Sequence, residues 1–180
     1  YRVMIVMPDN MSEERRKLIE ACGGEVILTP GEQGMKGAIK KAEELAKDIP
    51  NSFIPAQFDN PENTRVHMET TGPEIYRDLD GQIDIFVSGV GTGGTITGTG
   101  KYLKSENNKI QIIAVEPDTS PVLSKGTSGN HEIQGIGPEF IPELFNTLIY
   151  DEIISTSYED ALTMARLLGK KEGILAGISS

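Results

Sequence analysis

Six glycines and five Ser or Thr residues fall within fourteen positions, residues 87–100, VSGVGTGGTITGTG. Residues of this kind let backbone N–H groups approach an anion closely. Two chemistries fit the letters. Gly89, Gly91 and Gly94 form a literal G-x-G-x-x-G, and Glu116 follows Gly94 by 22 positions. That spacing matches a dinucleotide fingerprint, in which the acidic residue holds a ribose. Alternatively, Gly91, Thr92, Gly93, Gly94 and Thr95 form an anion nest at a helix N-terminus, with two hydroxyls as extra donors. A bridged pyrophosphate is held mostly by backbone. A terminal phosphate monoester carries nearly two charges and three free oxygens, and profits from hydroxyls. The threonines tilt the reading toward the monoester. A tight turn without a ligand is the third reading, and so many glycines make it costly in backbone entropy.

Other reactive residue types are sparse. Cys22 is the single cysteine, so an intrachain disulfide is impossible. This suits a reducing, cytoplasmic setting. Beside Gly23-Gly24, Cys22 reads as a small buried hydrophobe at a helix end. His67 and His131 are the two histidines, and their spacing fits no metal ligand set. No metal site is expected. Among 180 residues, 27 Asp and Glu against 17 Lys and Arg give a net charge of −10. With no basic run, nucleic acid and anionic membranes are excluded as partners. No apolar run reaches the roughly 20 residues that span a bilayer.

The elements around the loop alternate. Residues 2–7 read as a buried strand ended by Pro8. Residues 12–24 read as a helix with Ser12 as N-cap, Glu13 and Glu14 at its positive end, and Gly23-Gly24 as the stop. Residues 25–29 read as a second strand, and 35–47 have helical periodicity. Residues 53–57 read as a short strand. Residues 65–81 read as a helix interrupted at Pro73. The glycine loop joins strand 83–87 to a helix and then to strand 110–115. Residues 158–173 form an amphipathic helix that Gly173 stops. Such alternation predicts an α/β fold with parallel strands, with a subdomain boundary near Asn60-Pro61. The ends, YRVMIVMP and GILAGISS, read as strand interiors, the second running into a helix start. The chain is therefore expected to be part of a longer protein, incomplete at both ends.

Several ordered stretches resemble one family. SGVGTGGTITG resembles the phosphate loop of the cysteine synthase (O-acetylserine sulfhydrylase) and cystathionine β-synthase family, which uses pyridoxal 5′-phosphate. MPDNMSEERRKLIEACGGEVILT, QFDNPENTRVHMETTGPEI, VEPDTSPVL, IQGIGPEFIP and EGILAGISS are similar to the family in the same order. The match thins over 104–109 and 125–131. The resemblance implies the three-layer tryptophan-synthase-β-like (fold type II) architecture in two subdomains. Residues 1–59 would be part of the small mobile subdomain, and 60–180 most of the larger, phosphate-binding one.

The resemblance also implies roles. Gly91, Thr92, Gly93, Gly94 and Thr95 would bind the cofactor phosphate. Ser179 would hydrogen-bond the pyridine nitrogen, or alternatively cap a helix. Gln57 would lie near the substrate carboxylate, or be a buried amide. Gly135 would line the entrance, or form an ordinary turn. Glu116 then becomes a solvated or paired strand-end carboxylate. The family's Schiff-base lysine lies upstream of Tyr1, so no catalytic residue is assigned and the 180 residues alone are expected to be inactive. Thr-Ser-Gly-Asn at 127–130 looks like part of the family's substrate loop, but its position is wrong and the role is not carried over. The implied reaction is β-replacement, making L-cysteine from O-acetylserine and sulfide through an aminoacrylate. Alternatives are a β-lyase or synthase of the cystathionine β-synthase or cysteine desulfhydrase type, a dinucleotide-binding oxidoreductase, or a non-catalytic regulator. A homodimer and a complex with the C-terminal tail of serine acetyltransferase are implied by resemblance alone.

Overall fold

The computed structural model describes all residues from 1 to 180. The chain divides into two compact units, Tyr1–Pro55 and Ala56–Ser180. The division falls four residues before the 59/60 boundary read from sequence. Turn hydrogen bonds explain this: Asp59 and Asn60 both donate backbone N–H to Ala56 O.

The first unit runs β1 (Met4–Pro8), α1 (Glu13–Ala21), β2 (Glu25–Thr29), a 3₁₀ turn (Gly31–Gln33) and α2 (Gly34–Asp48). The two strands are parallel, with Met4 opposite Glu25 and Pro8 opposite Thr29. A right-handed strand–helix–strand crossover is the standard way to make such a pair. The predicted burial of residues 2–7 is met only at Met7. Arg2 and Val3 lie outside β1 and exposed, while Met7 and Pro8 are buried. Pro8 is the last strand residue rather than a residue beyond it.

In the second unit, α3 (Pro61–Val66), a π-helical turn (His67–Thr71) and α4 (Gly72–Asp78) make one broken helix. Then come β3 (Ile85–Gly89), α5 (Gly94–Glu106), β4 (Gln111–Pro117), α6 (Val122–Lys125), β5 (Glu152–Thr156) and α7 (Tyr158–Glu172). The sheet order is β3-β4-β5, all parallel. One sheet face carries Phe86, Ile112, Ala114 and Ile153, which pack with Ile96 and Leu103 of α5, Val90 and Phe145. Ile96, Leu103, Ile110, Ile112 and Ala114 are essentially inaccessible to solvent. This packing fixes the N-terminus of α5 at the end of β3, which positions the glycine loop.

Two expected strands are absent. Residues 53–57 are irregular, and Ala56 takes a left-handed φ of 52°, which breaks a strand. Residues 174–177 form no ladder and have no regular structure. The stop at Gly173 is as read, and Ser157 adds an N-cap that the sequence reading did not name. Ser157 accepts the Asp160 N–H at 3.1 Å, and Gly173 has φ 70°.

Candidate functional site

The β3–α5 loop ends on Gly93, the N-cap of α5, at φ 82°. A side chain there would meet Phe145 Cβ at 2.6 Å. Glycine is therefore required twice, by dihedral and by space. The first intrahelical bond runs from Thr97 N to Gly93 O, so the N–H groups of the preceding turn have no helical acceptor. Gly93 itself offers no capping side chain. A cleft of about 230 Å³ opens over it, lined by Gly89, Gly91, Thr92, Gly93, Thr95, Ile96 and Gly135. The Gly135 carbonyl oxygen would lie 2.5 Å from a Cβ on Gly91, so the two cleft-lining segments approach this closely only because residue 91 lacks one.

Both threonine hydroxyls are held from behind. Asn63 Nδ2 donates to Thr92 Oγ1 at 3.0 Å and to the Gln57 carbonyl at 2.8 Å. The Gly94 N–H also reaches Thr92 Oγ1, at 3.3 Å. Thr95 Oγ1 lies 3.2 Å from His67 Nε2, and His67 Nδ1 lies 2.9 Å from Thr71 Oγ1. Asn63, His67 and Thr71 recur every fourth position, a polar stripe facing the loop. Sequence reasoning weighed His67 only as a metal ligand and passed over Asn63 and Thr71. Their spacing was the available signal.

Of the other candidate residues, Gly135 lines the cleft at φ 112°. Ser179 is next to it: a Cβ on Gly135 would stand 3.3 Å from Ser179 Oγ. Gly94 begins α5. Gln57 is exposed rather than a buried amide, and its backbone carbonyl rather than its side chain joins the network. No lysine or arginine lines the cleft.

Glu116 is neither solvated nor available to a ribose. It is 1% exposed and accepts Leu123 N–H at 2.7 Å, Ser124 N–H at 3.3 Å and the Ser124 hydroxyl. Its oxygens serve the start of α6, which removes the acidic arm of the dinucleotide reading. Cys22 also differs from expectation. It is exposed, because it caps α1 through its backbone and α1 has no buried residue. No cluster of three metal-ligating side chains exists, and no helix is long and apolar enough to cross a membrane.

The cleft suits a phosphate group. Orphan amides, a helix N-terminus and two braced hydroxyls face a volume below the roughly 300–1,000 Å³ that encloses a whole drug-sized ligand. A family model described as "Pyridoxal-phosphate dependent enzyme" matches residues 1–180. The chain belongs to this pyridoxal-phosphate-dependent family. Its cofactor is pyridoxal 5′-phosphate, as the sequence resemblance implied. A cysteine synthase of Staphylococcus aureus is 54% identical over 181 residues, covering 100% of this chain and 58% of that protein. Among solved structures, a hydrogen sulfide-producing enzyme from Fusobacterium nucleatum is 48% identical with a TM-score of 0.97, covering 99% of this chain and 60% of that one. A cysteine synthase from Entamoeba histolytica is 47% identical with a TM-score of 0.91, covering 100% and 53%. The chain thus spans a little over half the length of these pyridoxal-phosphate relatives. The fold is the fold type II α/β architecture of this family.

Proposed function

We propose that these residues form the phosphate-holding part of a cysteine synthase, making L-cysteine from O-acetylserine and sulfide. The observation that carries the reading is the N-terminus of α5, capped by a glycine that has no side chain, beneath two braced hydroxyls. The 54% identity to a protein named cysteine synthase supports the choice of reaction. When bound, the cofactor supplies the electron-withdrawing ring that lets a β-substituent leave. The chain's own residues do the rest of the work assigned here. Backbone amides of residues 91–95 and the hydroxyls of Thr92 and Thr95 hold the phosphate. Ser179, beside Gly135, offers a hydroxyl to the pyridine nitrogen and leaves that nitrogen essentially neutral. Gly135 keeps the entrance narrow, and Gln57 faces the substrate carboxylate. The lysine that anchors the cofactor comes from outside residues 1–180, in keeping with a cleft lined by none. Tyr1–Pro55 belongs to a mobile closing subdomain. A cytoplasmic homodimer that accepts the C-terminal tail of serine acetyltransferase completes the proposal, on the family resemblance.

A second reading is release of hydrogen sulfide from cysteine. The relative with a TM-score of 0.97 favours it. One experiment separates the two. The full-length protein is given O-acetylserine with sulfide, and in a parallel assay cysteine alone. Cysteine formation far outpacing sulfide release supports the synthase; the reverse ranking rejects it. In the same protein, Thr92→Val should weaken retention of pyridoxal 5′-phosphate about tenfold, the value of one charge-assisted hydroxyl. Full retention would refute the phosphate assignment.

A further inference from the structure

Thr92 and Thr95 look equivalent in sequence but are held by different partners. Asn63 is bound by its Nδ2 to the Gln57 carbonyl, which can only accept. The amide orientation is thereby fixed, and Nδ2 must donate to Thr92 Oγ1. The Gly94 N–H donates to the same oxygen. With its lone pairs used, the Thr92 hydroxyl keeps its proton for the cleft. At Thr95 the partner is an imidazole nitrogen, which donates or accepts according to tautomer. If Nε2 were bare, Thr95 would spend its proton on His67 and could offer an anion only lone pairs.

We propose that His67 is a positioning residue that makes Thr95 a donor. Its Nε2–H donates to Thr95 Oγ1, the Thr71 hydroxyl donates to Nδ1, and the Thr95 proton is left for an anion in the cleft. The π-helical turn serves this arrangement. It runs from His67 to Thr71, closed by Gly72 N–H to His67 O, and brings Thr71 Oγ1 within 2.9 Å of Nδ1. Gly98 of α5 admits the helix: a Cβ there would press on Thr64 O and stand 2.8 Å from His67 Cβ. Close approach of α5 is what lets the ring reach a residue 28 positions away. A π-turn in this place is a common mark of a functional position. No proton changes owner in the assembled relay. The ring sets only the direction in which each hydroxyl points.

The inference rests on the phosphate reading above, and two measurements separate their failures. In the full-length protein with ¹⁵N-labelled histidine, two-bond ¹H–¹⁵N correlations report which His67 nitrogen carries hydrogen, with inorganic phosphate and then pyridoxal 5′-phosphate as probes. His67 is assigned by its absence in His67→Gln. A protonated Nε2 in the loaded protein is the expected result. A bare Nε2 with protonated Nδ1 in the wild-type protein overturns the proposal. The second measurement compares affinity for pyridoxal 5′-phosphate and for pyridoxal. His67→Leu, which cannot donate, should lose roughly tenfold for the phosphate form and nothing for pyridoxal. His67→Gln, whose amide can donate, should recover most of the loss. Equal losses for both ligands, or no recovery with Gln, would show a merely structural role. A wild-type protein that does not prefer the phosphate form would take down the phosphate reading and this proposal together. A wild type that prefers it, with an unaffected His67→Leu, would take down only this one.

Discussion

The β1–α1 turn and the β3–α5 turn follow the same parallel strand–helix–strand plan but finish their helices in opposite ways. In the first unit the turn is closed by its own side chains. Ser12 caps α1 by accepting Arg15 N–H at 3.4 Å. Asp9 Oδ1 accepts Gly31 N–H at 2.8 Å, and the Arg16 guanidinium donates to the carbonyls of Asp9 and Met11. In the second unit the N-cap is a glycine with no side chain, and the threonines nearby are braced from outside the turn. Two helices of similar origin thus differ in where their first N–H groups find acceptors. One has its own N-cap side chain as an acceptor, and the other has Thr92 Oγ1 on the Gly94 N–H and leaves the rest to a guest. Self-capping contributes stability. Leaving the end open forgoes that stability for a binding site.

The sharpest way to break the contrast is to give the open turn an acid of its own. Thr92→Asp would place a carboxylate at the cleft wall. Two unit charges about 5 Å apart at an effective dielectric of about 20 repel by roughly 3 kcal/mol, and a phosphate dianion feels this twice. Affinity for pyridoxal 5′-phosphate in the full-length protein should fall more than a hundredfold, as measured by fluorescence titration. A loss no larger than that of Thr92→Val would mean that the phosphate lies elsewhere. A smaller effect is expected from opening the closed turn. Ser12→Ala should cost about 0.5–1 kcal/mol of stability, the usual value of an exposed N-cap. Cofactor affinity should stay unchanged. Chemical denaturation with a cofactor titration alongside tests both halves, and an altered affinity would contradict the contrast.

The smallest effect concerns acid. Asp151 sits at the far end of β4 from the cleft. It binds Lys104 at 2.8 Å and accepts the Ile112 N–H at 2.8 Å. The hydrogen bond from Lys104, then that from Ile112, holds the carboxyl below the usual aspartate range. A depressed folded value stabilises above the unfolded pKa, near 3.9, and is lost as pH falls through the folded one. The stability gap between wild type and Asp151→Asn should be full above about pH 4 and close below it. The carboxylate is partly exposed, so the gap is modest. Cofactor affinity at neutral pH should not respond. A gap that persisted at low pH would show that the aspartate charge is not what stabilises this end of the sheet.

Where a local rule decides the structure, the sequence was readable. Residues 25–29 alternate no polar faces and end at Thr29-Pro30, and β2 has those bounds. Gly173 stops α7 by cap chemistry that depends on neighbours alone. The glycine loop carried its own spacing, and Gly91–Thr95 with Gly135 came out around one cleft or at its edge. What was missed depends on distant partners. The break at Pro73 was visible, but a π-turn beginning at His67 follows from the approach of α5 at Gly98. Residues 53–57 have strand letters, yet the left-handed Ala56 turns the chain toward Asn63. Cys22 looked like core by type, and its exposure goes with a helix α1 that buries no residue.

A cleft without lysine, arginine or carboxylate in its lining holds an anion by dipoles: backbone amides, hydroxyls and the end of one helix. The phosphate ester it suits gains its second negative charge near pH ~6. The attraction should therefore strengthen as that charge appears, the host acting on its guest like a dipolar solvent frozen in one orientation.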